Sequence, residues 1–167
     1  MSLPTPMYEV ALAGFEQARA RLVEQIRVNP NVREVLIPAM EAAYWANALD
    51  LKLRDDDLSY RGLNGPGPEL MLGLRYVRNR AAHQLPMVVR TAGGFSFPVT
   101  FPAAFGPITV HWRPLAELPP ADANHQSPRG EAAYVARFEN RIVPETLEEV
   151  AQWFAGERSR RGSFLNR

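Results

Sequence analysis

Residues Glu69 to Leu85 read ELMLGLRYVRNRAAHQL, and this stretch decides the fold. Leu70, Leu74, Val77 and Ala81 recur at helical spacing, so the segment is predicted to be one amphipathic helix. Gly65-Pro66-Gly67-Pro68 separates it from anything upstream, and Glu69 suits the positive end of a new helix dipole. Pro86 is expected to end it, because a residue before proline is pushed out of the helical region.

Beside the apolar stripe stand Arg78, Asn79 and His83. Asn79 and His83 are four apart, so a continuous helix sets them on one face, one turn above the other. An asparagine there can hydrogen-bond an imidazole nitrogen and select its tautomer. Arg78 and His83 are five apart, about 140° around the axis, but the arginine side chain is long enough to swing toward a group held before His83. A histidine moves protons near neutral pH and an arginine forks onto phosphate, so the pair points to phosphodiester chemistry. The structural alternative is a histidine that simply favours the negative end of a helix, beside an Arg80 that is only a solvated charge.

Working toward the N-terminus, Val32 to about Leu53 reads as a helix with Pro38 inside it, which is expected to kink it or mark a restart. Ala39, Ala42, Ala43, Ala46 and Leu49 make a small-residue face that admits a close neighbour, and Tyr44 and Trp45 flank it as packing residues. Asp50 is a candidate helper of the motif, with a solvent-facing helix end as the alternative. Asp55-Asp56-Asp57 reads as a solvated loop without the features of a calcium loop. Asn29-Pro30-Asn31 is a turn. Tyr8 to Val28 is a first helix with Tyr8, Leu12, Phe15, Leu22 and Ile26 on one face.

Beyond Pro86 the pattern changes. Phe95 to Phe101 and Ile108 to Trp112 alternate with period two, with turns at Gly93-Gly94 and Ala103 to Pro107. A small antiparallel β insertion over 87–115 is expected, with Trp112 packed and His111 exposed. Residues 116–130 read as an exposed loop in which His125 has no visible partner. Two closing helices are expected over 131–156: Glu131 to about Arg141, with Ala133, Val135 and Phe138 on its apolar side, then one opened by Pro144. In the second, Leu147, Val150, Ala151 and Phe154 form the buried stripe and Gly156 suits the end. Residues 157–167, ERSRRGSFLNR, read as a frayed basic tail.

The chain of 167 residues is long enough for one domain with a real core. Its formal net charge of +1 excludes a global basic field, so any nucleic-acid site must be a local patch. With no cysteine, disulfides, thiol nucleophiles and cysteine-based zinc sites are excluded. No metal-ligand cluster or cofactor motif is visible. No signal peptide or membrane span is expected, and a cytoplasmic protein without membrane contact is the expectation.

Arg78-Asn79-Arg80-Ala81-Ala82-His83 resembles the R-x4-H motif of the HEPN superfamily (higher eukaryotes and prokaryotes nucleotide-binding domains), in the sub-form where a polar residue, often Asn, follows the Arg. The text LRYVRNRAAHQ is also similar to small proteins of actinobacteria and their phages. The specific match covers only this helix, and the two preceding helices agree by pattern. The segment after Pro86 departs from the plain family layout.

The resemblance implies a mainly α fold, a HEPN-like antiparallel helical bundle over 1–167 with first helices over 7–86; the small antiparallel β insertion after the motif helix is read from the alternating pattern and is added to it. It also implies a metal-independent endoribonuclease in which two protomers face their motifs across one cleft. His83 would be the general acid or base, Arg78 would stabilise the charged phosphorane, and Asn79 would orient His83 or bind phosphate. The product would be a 2′,3′-cyclic phosphate. Tyr76 and Arg80 are the accompanying substrate-binding candidates. The expected partners are RNA and a second copy, with an antitoxin protein as a further partner in a toxin, defence or phage-conflict setting. The alternative is a catalytically silent HEPN-like module that binds a nucleotide or protein, and a third reading is an accessory protein in which the helix only packs.

Overall fold

The computed structural model describes residues 7–28, 32–81, 85–91, 108–118 and 127–166. The first two helices, α1 (Met7–Val28) and α2 (Val32–Asp56), pack along each other. Ala11, Phe15, Ala18 and Leu22 of α1 are buried, and the small-residue face of α2 meets them with Ala39, Ala42, Ala43, Ala46 and Leu49 all sealed. Small residues allow the approach. A Cβ on Gly14 would lie only 2.7 Å from the Trp45 ring. Helix α2 runs through Pro38 without a restart and extends to Asp56, three residues past the sequence expectation.

That extension leads into a short helix α3 (Leu58–Arg61), which the sequence pattern did not reveal. Asp57 is its N-cap and accepts from the Tyr60 amide at 3.0 Å, so the aspartate run is not a solvated loop: Asp57 is buried. The motif helix, α4 (Pro66–Ala81), begins earlier than Glu69. Its first turn tolerates Pro66 and Pro68 because early helical positions need no N–H donor, and Gly65 turns the chain into it at φ 111°. Leu70, Met71, Leu74 and Val77 are buried. Gly67 lets Trp153 sit directly on the helix, where a Cβ would come within 2.1 Å of the ring.

Strands β1 (Met87–Thr91) and β2 (Ile108–Trp112) pair antiparallel with Met87 opposite Trp112 and Thr91 opposite Ile108. The expected strand at Phe95–Phe101, the turns at 93–94 and 103–107, and His125 lie outside the described residues. Val110, Trp112 and Met87 enter the core, and Trp112 meets Phe138 edge-on at 5.2 Å. The mainly helical architecture with a small antiparallel sheet is as the sequence predicts.

The closing helices are α5 (Pro128–Arg137) and α6 (Val143–Ser159). Helix α5 starts inside the expected loop, capped by Ser127, whose hydroxyl accepts from the Gly130 amide at 3.1 Å. Its buried side is Gly130, Ala133 and Tyr134, followed by Phe138, while Val135, expected on the apolar side, is exposed. In α6 the predicted stripe of Leu147, Val150, Ala151 and Phe154 is buried. The helix runs past Gly156 to Ser159 rather than ending there. The tail is not frayed. Glu157 and Ser163 are buried, a 3₁₀ turn spans Phe164–Asn166, and Phe164 packs edge-on to Tyr8 at 6.3 Å. Among the described residues no helix is long and apolar enough to cross a membrane.

Candidate functional site on the motif helix

Helix α4 turns its apolar stripe inward, and what remains outside is a row of arginines in three different circumstances. Arg75 is tied down. Its Nη2 donates to Asp50 Oδ2 at 2.6 Å, and Asp50 also accepts from the Tyr60 hydroxyl at 2.9 Å. Trp153 Nε1 in turn donates to the Tyr60 oxygen at 3.1 Å. The chain Trp153–Tyr60–Asp50–Arg75 thus links α6, α3, α2 and α4. Burial and the facing Asp50 charge push the Tyr60 hydroxyl above its ordinary value, which keeps its proton in place to donate. Asp50 is 1% exposed, so the expectation that it simply meets solvent is corrected: Tyr60 of α3 and Arg75 of α4 close on its two oxygens. Nearby on α2, the buried Asn47 Oδ1 has no partner among the described residues.

Arg80 is engaged on the opposite side. Its Nη2 and Nε donate to the Tyr76 hydroxyl at 2.7 and 3.2 Å, and its guanidinium lies 5.1 Å above the Tyr76 ring. The Tyr76 hydroxyl reaches Glu131 Oε2 of α5 at 3.3 Å, and the ring is buried 5.4 Å from that of Tyr134. Burial raises the Tyr76 hydroxyl above its usual range, opposed by the Arg80 charge. Tyr76, Arg80 and Glu131 therefore form a clasp between α4 and α5.

Arg78 and Asn79 are exposed, and Arg78 Nη1 donates to Asn79 Oδ1 at 3.4 Å. Residues 75, 78 and 79 fall at helical spacings of three and four, so Arg75 stands one turn before this pair on the same side. Arg75 was not singled out from the sequence. The signal that could have found it is that same spacing, counted backward from the motif. His83 lies outside the described residues, as do Ala82 and Gln84. Of the five sequence candidates, the structure brings Arg78 and Asn79 together and sets Tyr76 with Arg80 on another side of the helix.

Chemically, an exposed guanidinium beside an amide offers donors to an anion, with a second, partly neutralised guanidinium one turn away. Among the described residues no three His, Asp or Glu side chains are grouped to hold a metal ion. His111, in β2, is occupied: its Nδ1 lies 3.1 Å from the Asn140 carbonyl and its Nε2 2.9 Å from the Thr109 hydroxyl. No protein-family model, curated protein or solved structure matches this chain.

Proposed function

We propose that this chain is a HEPN-like, metal-independent endoribonuclease acting as a homodimer, with a toxin or defence role in phage–host conflict. The observation that supports it most is the Arg78–Asn79 pair, exposed on a helix whose other sides are locked into the bundle. In this reading the Arg78 guanidinium gathers the charge that develops on the phosphorane. Asn79, with its oxygen turned to Arg78, keeps its amide hydrogens for the phosphate or the imidazole. His83 takes the 2′-hydroxyl proton or returns one to the leaving 5′-oxygen, which leaves a 2′,3′-cyclic phosphate.

The rival reading is a catalytically silent HEPN-like module that binds a nucleotide or protein. It is favoured by the net charge of +1 and by the engagement of Arg75 and Arg80 inside the molecule. One experiment separates the two. The purified full chain is incubated with single-stranded RNA in EDTA, beside His83→Ala and Arg78→Ala. The expected outcome is cleavage that persists in the chelator and falls roughly 100- to 10,000-fold in His83→Ala, with unchanged helical circular dichroism. Cleavage that is lost in EDTA, or that stays at the wild-type rate in both variants, would falsify the nuclease reading. A folded wild type that binds RNA without cutting it leaves the module.

A further inference from the structure

Helix α2 has a second apolar face. Val32, Ile37 and Tyr44 are about half exposed, at 51%, 50% and 53%, with Leu36 and Met40 half-buried beside them. Together with Leu85, Val32, Leu36, Ile37 and Met40 line a groove of about 820 Å³. Arg33 and Glu41 stand on its borders. Apolar side chains gathered in one groove and framed by charge are the mark of a protein contact rather than of scattered surface residues.

The charge pattern says which protein. Arg33, Ile37 and Glu41 fall at i, i+4 and i+8, so one ridge carries a cation, an apolar knob and an anion at equal spacing. Such a ridge is complementary to itself when reversed. We propose that this face is the contact between two copies of the chain, with α2 crossing its twin antiparallel about a twofold axis near Ile37. In that arrangement Arg33 meets the partner's Glu41 at one end, and the same pair repeats at the other. A parallel arrangement would set like charges opposite each other at both ends, which is unfavourable. Glu41 also pairs with Arg21 of its own α1, an exposed ion pair that can share the carboxylate with the incoming arginine.

Leu85, 49% exposed, also lines the groove and follows the last residue of α4, Ala81, by four positions in sequence. The inference deepens the homodimeric part of the nuclease reading and rests on that reading only for its purpose.

Sedimentation of the full chain at micromolar concentrations tests it. The wild type is expected to dimerise, and Ile37→Lys to weaken the dimer at least about tenfold, as loss of a central apolar anchor does. Arg33→Glu and Glu41→Arg should each weaken it, and the double variant should dimerise better than either single, because the reversed ridge is again self-complementary, while falling short of the wild type because Arg21 loses its carboxylate partner. Circular dichroism checks that each variant is folded. A monomeric wild type overturns the proposal, leaving the groove for a different protein. So does a dimer indifferent to Ile37→Lys, or a double variant no better than its singles. RNA cleavage is assayed on the same samples. A dimer that these variants break but that cuts no RNA supports the interface and overturns the nuclease reading alone.

Discussion

Arg75 and Arg78 sit one turn apart on the same helix and live under opposite rules. Arg75 is held by a carboxylate that is 1% exposed, itself fixed by a tyrosine and, through it, a tryptophan. Arg78 donates to its neighbour Asn79 and is exposed. The first arrangement uses charge to join four helices. The second leaves charge available. A buried ion pair contributes little by existing, since desolvation offsets attraction, but breaking it is costly because one charge stays behind. An exposed guanidinium is already solvated, so removing it leaves no buried charge behind.

The sharpest way to break the comparison is Asp50→Ala. It leaves the half-buried Arg75 without its counter-charge and the buried Tyr60 hydroxyl without an acceptor, and should cost about 3 kcal/mol of stability in urea unfolding. A loss below about 0.5 kcal/mol would mean that the network is decoration.

Acid titration gives a smaller effect at a second buried carboxylate. Burial works to raise Asp57, yet the Ser59 hydroxyl, the Tyr60 amide and the Arg160 guanidinium outweigh it and hold the carboxyl at about 2, against an ordinary 3.8. The folded state therefore binds this proton less readily than the unfolded chain does. The stabilisation is present above pH 4 and is lost as pH falls toward 2. It amounts to about 2 kcal/mol at most. Asp57→Asn should flatten this part of the stability profile, and a profile that keeps its wild-type slope would assign the acid sensitivity elsewhere.

The smallest expected change is the one that sharpens the contrast. Arg78→Ala should alter unfolding stability by no more than about 0.5 kcal/mol, as exposed substitutions away from buried networks do. A drop as large as that of Asp50→Ala would place Arg78 among the structural arginines.

Periodicity made much of this fold readable. The stripe of Leu147, Val150, Ala151 and Phe154 and the alanine face of α2 are buried as their spacing dictates. Features that depend on residues far along the chain were not readable. Helix α3 is only four residues long, too short to show a period, and its capping Asp57 is completed by Arg160, 103 positions away. The tail reads as basic and loose until Ser163 and Phe164 are seen against the bundle. Val135 lies two residues from Ala133, about 200° around the helix axis, so the side that buries Ala133 and Tyr134 leaves Val135 in solvent. At the site, spacing marked Arg78 and Asn79 as neighbours and the structure joins them. Spacing could not tell that Arg80 is drawn back onto Tyr76, nor that Arg75 is clamped by a residue 25 positions upstream.

The three tryptophans occupy separate seams of the molecule. Trp45 lies over Gly14 where the first two helices meet, Trp112 is enclosed between the ribbon and Phe138, and Trp153 rests on Gly67 with its indole nitrogen bonded to Tyr60. Intrinsic fluorescence therefore carries three built-in reporters. Replacing two at a time with phenylalanine would let each seam be watched alone as the protein comes apart.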